Sequence, residues 1–518
     1  MKKIIRTVII TLVLLTAATV GGLYWLTAEK KDKAKSEEQI RLEESGESTE
    51  RAFMFSTPNE ATPLVREGAG KNLLVFEQTD IYNAASSAEA KKRLDRLVSR
   101  TSPSFDEPLI AYNPFGIMKN SLYFSFNTNR RVAVKYTITV EDETIPDFVR
   151  TVYSGQENNM SQKHEFSIGG IIPGMKNYII LALCTEDGTV ISSNTYSFDA
   201  EPAAAGALVR IPVEKGKISE AEISNGLYFC FPKDIPEILC YDNAGILRGE
   251  TLLEEAAGKR MVVNHNDIFY MVSAKKLVHL SPIGQVVGVH TAGKVGELLD
   301  FDYDGYGNLY ALAAKKGKVS LVRTDLKSGA LTKVLTFKEG TKPDSIAVPG
   351  DGSAYVGQEK PAGILRITNV ASNVAKVSGV IGKKSDWKVY QKKVYQKEGK
   401  GKYAESIRLL LYNSDKGSLS FYNEGGEKGS RTGYYEYEVK DDKKTFSLFR
   451  NLKAGKQGQA GSGPGGSGQW YGTHYIIADR SGGSFGEYDT EGKLIKEFKT
   501  DLTLKSVLKM NLKQTCFK

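Results

Sequence analysis

Residues 300–308 read Asp-Phe-Asp-Tyr-Asp-Gly-Tyr-Gly-Asn, DFDYDGYGN. Carboxylates at the first, third and fifth places and glycine at the sixth follow the order of a calcium loop. The twelfth place is Ala311, however, where such a loop needs a bidentate glutamate. Phe301 and Tyr303 alternate with the aspartates, as residues of a strand entering a turn do. Gly305, Gly307 and Asn308 then accept the backbone angles of a tight hairpin. The stretch reads as a hairpin turn and not as a metal site.

The same rhythm recurs along the second half of the chain. An apolar pair, a turn with Asp or Asn and Gly, and a second apolar run appear in YDNAGILRGE (241–250), SPIGQVVGVH (281–290), YDGYGNLYAL (303–312) and TDLKSGALTKVL (324–335). They appear again in VPGDGSAYVG (348–357), YNSDKGSLSFY (412–422), VKDDKKTFSLF (439–449) and YDTEGKLIKEF (488–498). Hairpins at intervals of roughly 20–45 residues, without intervening helices, predict a β-propeller. We expect it over residues 205–518, with six blades, because one blade cannot bury both of its faces alone.

Upstream, SLYFSFNT, VAVKYTITV, HEFSIGG, NYIILALCT and NTYSFDA are short β-branched and aromatic segments between turn residues. They predict a small β-sandwich over 104–200. Residues 29–103 read as a charged linker with a short helix at 88–100. The first 28 residues are different. From Thr7 to Ala28 there are 22 residues without a charge, roughly 33 Å as a helix at about 1.5 Å each, enough to cross a bilayer. Lys2, Lys3 and Arg6 precede the run, and Leu23-Tyr24-Trp25 closes it. It reads as a single-pass anchor at 7–28, in preference to a cleaved signal, with the folded domains outside the cytoplasm. The predicted class is therefore all-β: anchor, sandwich, propeller.

Charge and cysteine usage narrow the function. A net charge of +9 comes from lysines distributed through every segment, without clustering among aromatics, so no nucleic-acid partner is expected. The tyrosine-interleaved basic run YQKKVYQKEGKGKY (390–403) reads as a solvated loop, and KAGKQGQAGSGPGGSGQ (453–469) as a flexible insertion, not a phosphate loop. Cys184, Cys230, Cys240 and Cys516 make neither a disulfide scaffold nor a zinc site. Cys230 and Cys240 either bridge neighbouring strands or are buried free thiols.

Several phrases resemble bacterial arylsulfate sulfotransferases, the type with an aryl sulfate donor instead of a nucleotide. In the sandwich these are PLIAYNPFG (108–116), SLYFSFNTN (121–129), TIPDF (144–148) and HEFSIGGIIPGMKN (164–177). In the propeller they are YDNAGILRGE, GKVGELLDFDYDGYGNLYAL, DLKSGALTKVL, SRTGYYEYEVKDDKKTFSL (430–448), YDTEGKLIKEF and VLKMNL (507–512). The resemblance implies sulfuryl transfer through a sulfohistidine from an aryl sulfate to a phenol, with no cofactor or metal, and a homodimer. Covalent catalysis by a neutral imidazole suits such a transfer.

The chain departs from that pattern where the chemistry lies. Leu298-Leu299-Asp300 stands where the family has His-His-Asp, and Lys342-Pro343-Asp344-Ser345 where it has His-x-Asn-Ser. Gly357-Gln358-Glu359 replaces Ser-Arg-Glu, and no histidine occurs from 291 to 473. The remaining imidazoles are His164, His265, His279, His290 and His474. Of these only His474, in QWYGTHYII, is a candidate nucleophile. Lys342, Gln358 and Arg431 are the candidate ligand-binding positions. Two functions follow: an aryl-sulfate sulfotransferase, or a catalytically inactive propeller that binds or scaffolds outside the cytoplasm.

Overall fold

The computed structural model describes residues 61–68, 70–78, 80–155, 159–216, 226–264, 267–372, 374–383, 394–398, 403–424, 432–453, 466–478 and 483–511. The anchor expected at 7–28 lies outside them, as do His265, Arg431 and Cys516. Among the described residues no helix is long and apolar enough to cross a membrane.

The sandwich is organised by one long strand, Leu122–Thr139. Its first half pairs with Leu109–Tyr112 and Ser161–Ile168, and its second half with Phe148–Thr151 and Lys176–Cys184. Inward residues of both halves, among them Phe124, Ile138, Phe166, Ile179 and Phe198, fill the space between. Two short strands from the segment expected to be linker, Thr62–Pro63 and Leu74–Val75, add parallel pairings. The helix runs over Ala84–Thr101, longer than its apolar spacing suggested, because the Asn83 side chain accepts from the Ala85 and Ser86 amides and caps it early.

The second half closes into the six expected blades. Blades 2, 3 and 4 are the four-stranded sheets over Met261–Thr291, Glu297–Thr336 and Pro343–Gly382. Blade 5 spans Ile407–Lys453 and blade 6 Ser467–Lys499, each with a fifth strand, Gln396–Glu398 and Val213–Lys215 respectively. Blade 1 is composite. Its innermost strand is the C-terminal Leu504–Asn511, paired antiparallel with Gly226–Pro232, so the end of the chain seals the ring and removes an open edge.

Each innermost strand begins at one face of the ring, here the near face, and ends at the far face. All eight hairpins quoted above are turns at the far face, between first and second or third and fourth strands. The aspartates cap them. Asp242 Oδ1 accepts from the Ala244 and Ile246 amides at 2.8 and 2.9 Å, and Asp489 Oδ1 from Glu491 and Lys493 at 2.9 and 2.8 Å. Asp304 does the same for Tyr306 and Asn308, at 2.8 and 3.0 Å, which settles the third aspartate of DFDYDGYGN as a turn cap.

The first two aspartates of that stretch face the axis and meet Arg260. This arginine opens blade 2 and is 2% exposed. Its Nη1 and Nη2 donate to the carbonyls of Ile346 in blade 4 and Leu410 in blade 5, at 2.8 and 2.6 Å. Nη2 lies 3.1 Å from Asp300 Oδ2 and Nη1 3.7 Å from Asp302 Oδ2, both in blade 3. Those carboxylates also accept from the Ile346 and Val348 amides. One guanidinium thus ties blade 2 to blades 3, 4 and 5 at their centre.

The sandwich is joined to the ring through phrases that lie far apart in sequence. Arg248 pairs with Asp242 at 2.7 Å, both fully buried, and donates to Pro146 of TIPDF and Gly170 of SIGGIIPG. Met118–Lys119 extends blade 1, and the Ser87 hydroxyl accepts from Val286 of blade 2. Cys230 pairs with Leu239, and Phe229 with Cys240, a one-residue offset that points the two sulfurs to opposite faces of the sheet. Both are buried, and neither is in a disulfide.

Arg260→Met leaves Asp300 buried without its cation and is expected to cost about 3–5 kcal/mol of stability. Arg260→Lys restores little, since an ammonium cannot span two carboxylates and two carbonyls. Urea unfolding of both variants measures this; losses below ~1 kcal/mol would contradict the structural role of the network.

Candidate functional site: an axial cationic cavity

Above Arg260, at the near face, the innermost strands enclose a cavity of about 230 Å³ lined by Lys233, Lys259, Asp344, Arg408, Lys505 and Ser506. The strands position these groups by a shared register. Asp344, Arg408 and Lys505 are each the second residue of an innermost strand, in blades 4, 5 and 1. Lys259 precedes blade 2 next to Arg260, and Lys233 occupies the near-face turn of blade 1.

Among the described residues Asp344 is the only carboxylate lining the cavity. Its Oδ2 lies 2.7 Å from Arg408 Nη1 and 3.3 Å from Lys259 Nζ. Burial raises the Asp344 pKa, but Lys259 and Arg408 outweigh it and hold the carboxyl below its ordinary value. Arg408 Nε also reaches Glu424 at 3.0 Å. Lys505 donates to the Ala256 carbonyl, and no carboxylate among the described residues pairs with it. Burial, then the Lys259 charge, lowers its pKa. Among the described residues four cations face one lining carboxylate, and neither Lys233 nor Lys505 forms an ion pair with a described carboxylate, so the cavity carries excess positive charge.

The positions expected from sequence are not gathered there. Lys342 is exposed in the crossover into blade 4, two residues before Asp344. Gln358 is fully buried and its amide donates to the Pro361 carbonyl. His474 opens the second strand of blade 6 and pairs in register with Tyr471, at the far end of that blade. Five residues of strand separate Tyr471 from Gly466 at the cavity wall, roughly 16 Å at about 3.3 Å each. There His474 Nδ1 lies 3.6 Å from Glu487 Oε2, and Glu487 also takes Lys509 and Tyr228 as partners. Burial raises the Glu487 pKa; His474, Lys509 and Lys496 together overcome it and hold the carboxylate ionised.

Leu298 and Leu299 are packing residues. Leu298, at the same second position of blade 3, packs with Phe269 and Phe301, and Leu299 packs on the cluster shared by blades 3 and 4. His279 stacks on Phe269 and meets Asp267 at 2.7 Å. His164 stacks on Phe126. No described histidine lines the cavity. Sequence reasoning missed Lys233, Lys259, Arg408 and Lys505: Arg408 and Lys505 are second residues of innermost strands, whose starts no turn residue marks, and Lys259 and Lys233 lie in a crossover and a near-face turn that carry no motif.

Residues 109–201 match the arylsulfotransferase Ig-like domain. That domain followed by a propeller fits the arylsulfotransferase family. No curated protein matches the chain. Among solved structures it is similar to TolB from Acinetobacter baumannii, at 11% identity over 66% of this chain and 82% of that one, with a TM-score of 0.34. Virginiamycin B lyase from Staphylococcus aureus is 10% identical over 56% of this chain and 84% of that one, TM-score 0.34. A protein of unknown function from Bacteroides caccae is 11% identical over 55% and 99%, TM-score 0.39. These likenesses are too low to bear on function.

Burial lowers the pKa of both His164 and His290 to about 4. An unfolded histidine takes a proton near 6.5. Both groups therefore favour the folded state above pH 6.5 and lose that contribution as pH falls toward 4. NMR titration of the imidazole protons should place two midpoints near 4; midpoints near 6.5 for both would contradict their burial.

Proposed function

We propose that the axial cavity binds the sulfate group of an aryl sulfate or a similar organic oxyanion, and that the chain holds this ligand without passing it through a sulfohistidine. The cluster of Lys233, Lys259, Arg408 and Lys505 around Asp344, with no imidazole on its walls, carries the reading. The matched Ig-like domain supports the ligand class. Lysine and arginine retain a tetrahedral anion well, because each charged donor adds about 1.5–3 kcal/mol. A protonated amine or guanidinium has no lone pair with which to attack sulfur. The protein is thus a binding propeller of arylsulfotransferase type, acting outside the cytoplasm and held there by residues 7–28.

The purified protein titrated with 4-nitrophenyl sulfate in a calorimeter should bind it and release no nitrophenol above a buffer blank. Lys505→Met, which breaks no ion pair, should weaken binding about tenfold, equivalent to ~1.4 kcal/mol. Nitrophenol release, or a sulfohistidine found by mass spectrometry, would overturn the non-catalytic reading. Absence of binding would overturn the ligand.

A further inference from the structure

Lysines that look evenly distributed along the chain are collected in space by the blade topology. The turns between second and third strands and the crossovers between blades all lie at the near face, and in blades 2–4 these segments are rich in lysine. Lys275 and Lys276 form the near-face turn of blade 2, and Lys315 and Lys316 that of blade 3. Together with Thr291, Gly293, Gly296 and Glu297 of the crossover between them, they line a groove of about 600 Å³. The crossover is pressed onto the blade 3 turn so closely that a Cβ on Gly296, at φ +125°, would lie 2.0 Å from the Ala314 carbonyl. Lys294, Lys338, Lys342 and Lys360 continue the basic sector along the same face, all exposed. The groove and the axial cavity share no lining residue.

We propose that this groove binds an extended polyanion, a linear chain carrying sulfate or phosphate groups at regular intervals. Its lysines stand on both walls of a concavity, which suits a chain laid across them. Lys276 is the one groove lysine committed to a carboxylate, Glu254, and Lys315 is steadied by the Lys294 carbonyl. A flat anionic membrane fits less well, since surface-bound proteins add apolar residues that enter the bilayer. Among the described residues the exposed large apolar side chains, including Tyr306, Leu331, Val374 and Phe449, lie outside the near-face turns. The proposal is independent of the ligand assigned to the axial cavity.

The test uses the whole protein and measures its affinity for dextran sulfate and for inorganic polyphosphate across a salt series. Two triple variants of equal net charge are compared: Lys275→Glu, Lys315→Glu and Lys316→Glu in the groove, and Lys327→Glu, Lys443→Glu and Lys493→Glu in far-face turns. The groove variant should bind at least one of the polymers about tenfold or more weakly, with a salt slope reduced by roughly two. The far-face variant should stay within about threefold of the unaltered protein by the same electrostatics. Equal losses in both variants would show binding by net charge alone and overturn the groove. Binding to anionic lipid vesicles but to neither polymer would overturn the polyanion. Lys505→Met must leave polymer binding unchanged, so failure of the axial assignment and failure of this one read out separately.

Discussion

One buried guanidinium determines how this propeller is centred. Arg260 stands at the axis where six innermost strands converge, and it satisfies carbonyls of blades 4 and 5 and carboxylates of blade 3 at once. Burial raises the pKa of Asp300 and lifts that of Asp302 to about 6, with Arg260 opposing both shifts. The charges are tolerable only as a set. Blade 2 could not slide relative to blades 3–5 without leaving some of them bare. The network therefore acts as a registry device at the centre, while the C-terminal strand closes the rim.

The hub also divides the axis. Beneath the near face it forms a polar floor, and above that floor the cavity presents Lys233, Lys259, Arg408 and Lys505. Adjacent residues, Lys259 and Arg260, thus take opposite roles: one lines the cavity, the other is buried among the blades. Asp344 offsets part of the charge of Lys259 and Arg408, and Glu424 offsets more of that of Arg408. Leu298 and Leu299 pack into the apolar seams on either side of blade 3.

Much of the fold was legible because far-face turns advertise themselves. Asp242, Asp304, Asp325 and Asp489 cap their hairpins through side-chain hydrogen bonds, and that chemistry demands Asp, Asn and Gly at fixed places. The near face has no such constraint. Its turns and crossovers can be lysine-rich, irregular or long, so the cavity and the groove left little local trace. Lys342 illustrates the limit: it was the conspicuous cation of its phrase, yet Asp344, two residues on, reaches the cavity. Arg260 was equally silent. Nothing around GKRMVVN announces a residue whose partners are 40, 86 and 150 positions away. The sandwich phrases TIPDF and SIGGIIPG were recognisable individually, but only folding shows that both serve Arg248.

Selenate is a sulfate mimic with a strong anomalous signal, and a selenate-soaked crystal of the protein tests the account most directly. The account predicts one dominant anomalous peak among Lys233, Lys259, Arg408 and Lys505, on the near-face side of Arg260. A dominant peak beside His474 at the far end of blade 6, with the axial cavity empty, would contradict it.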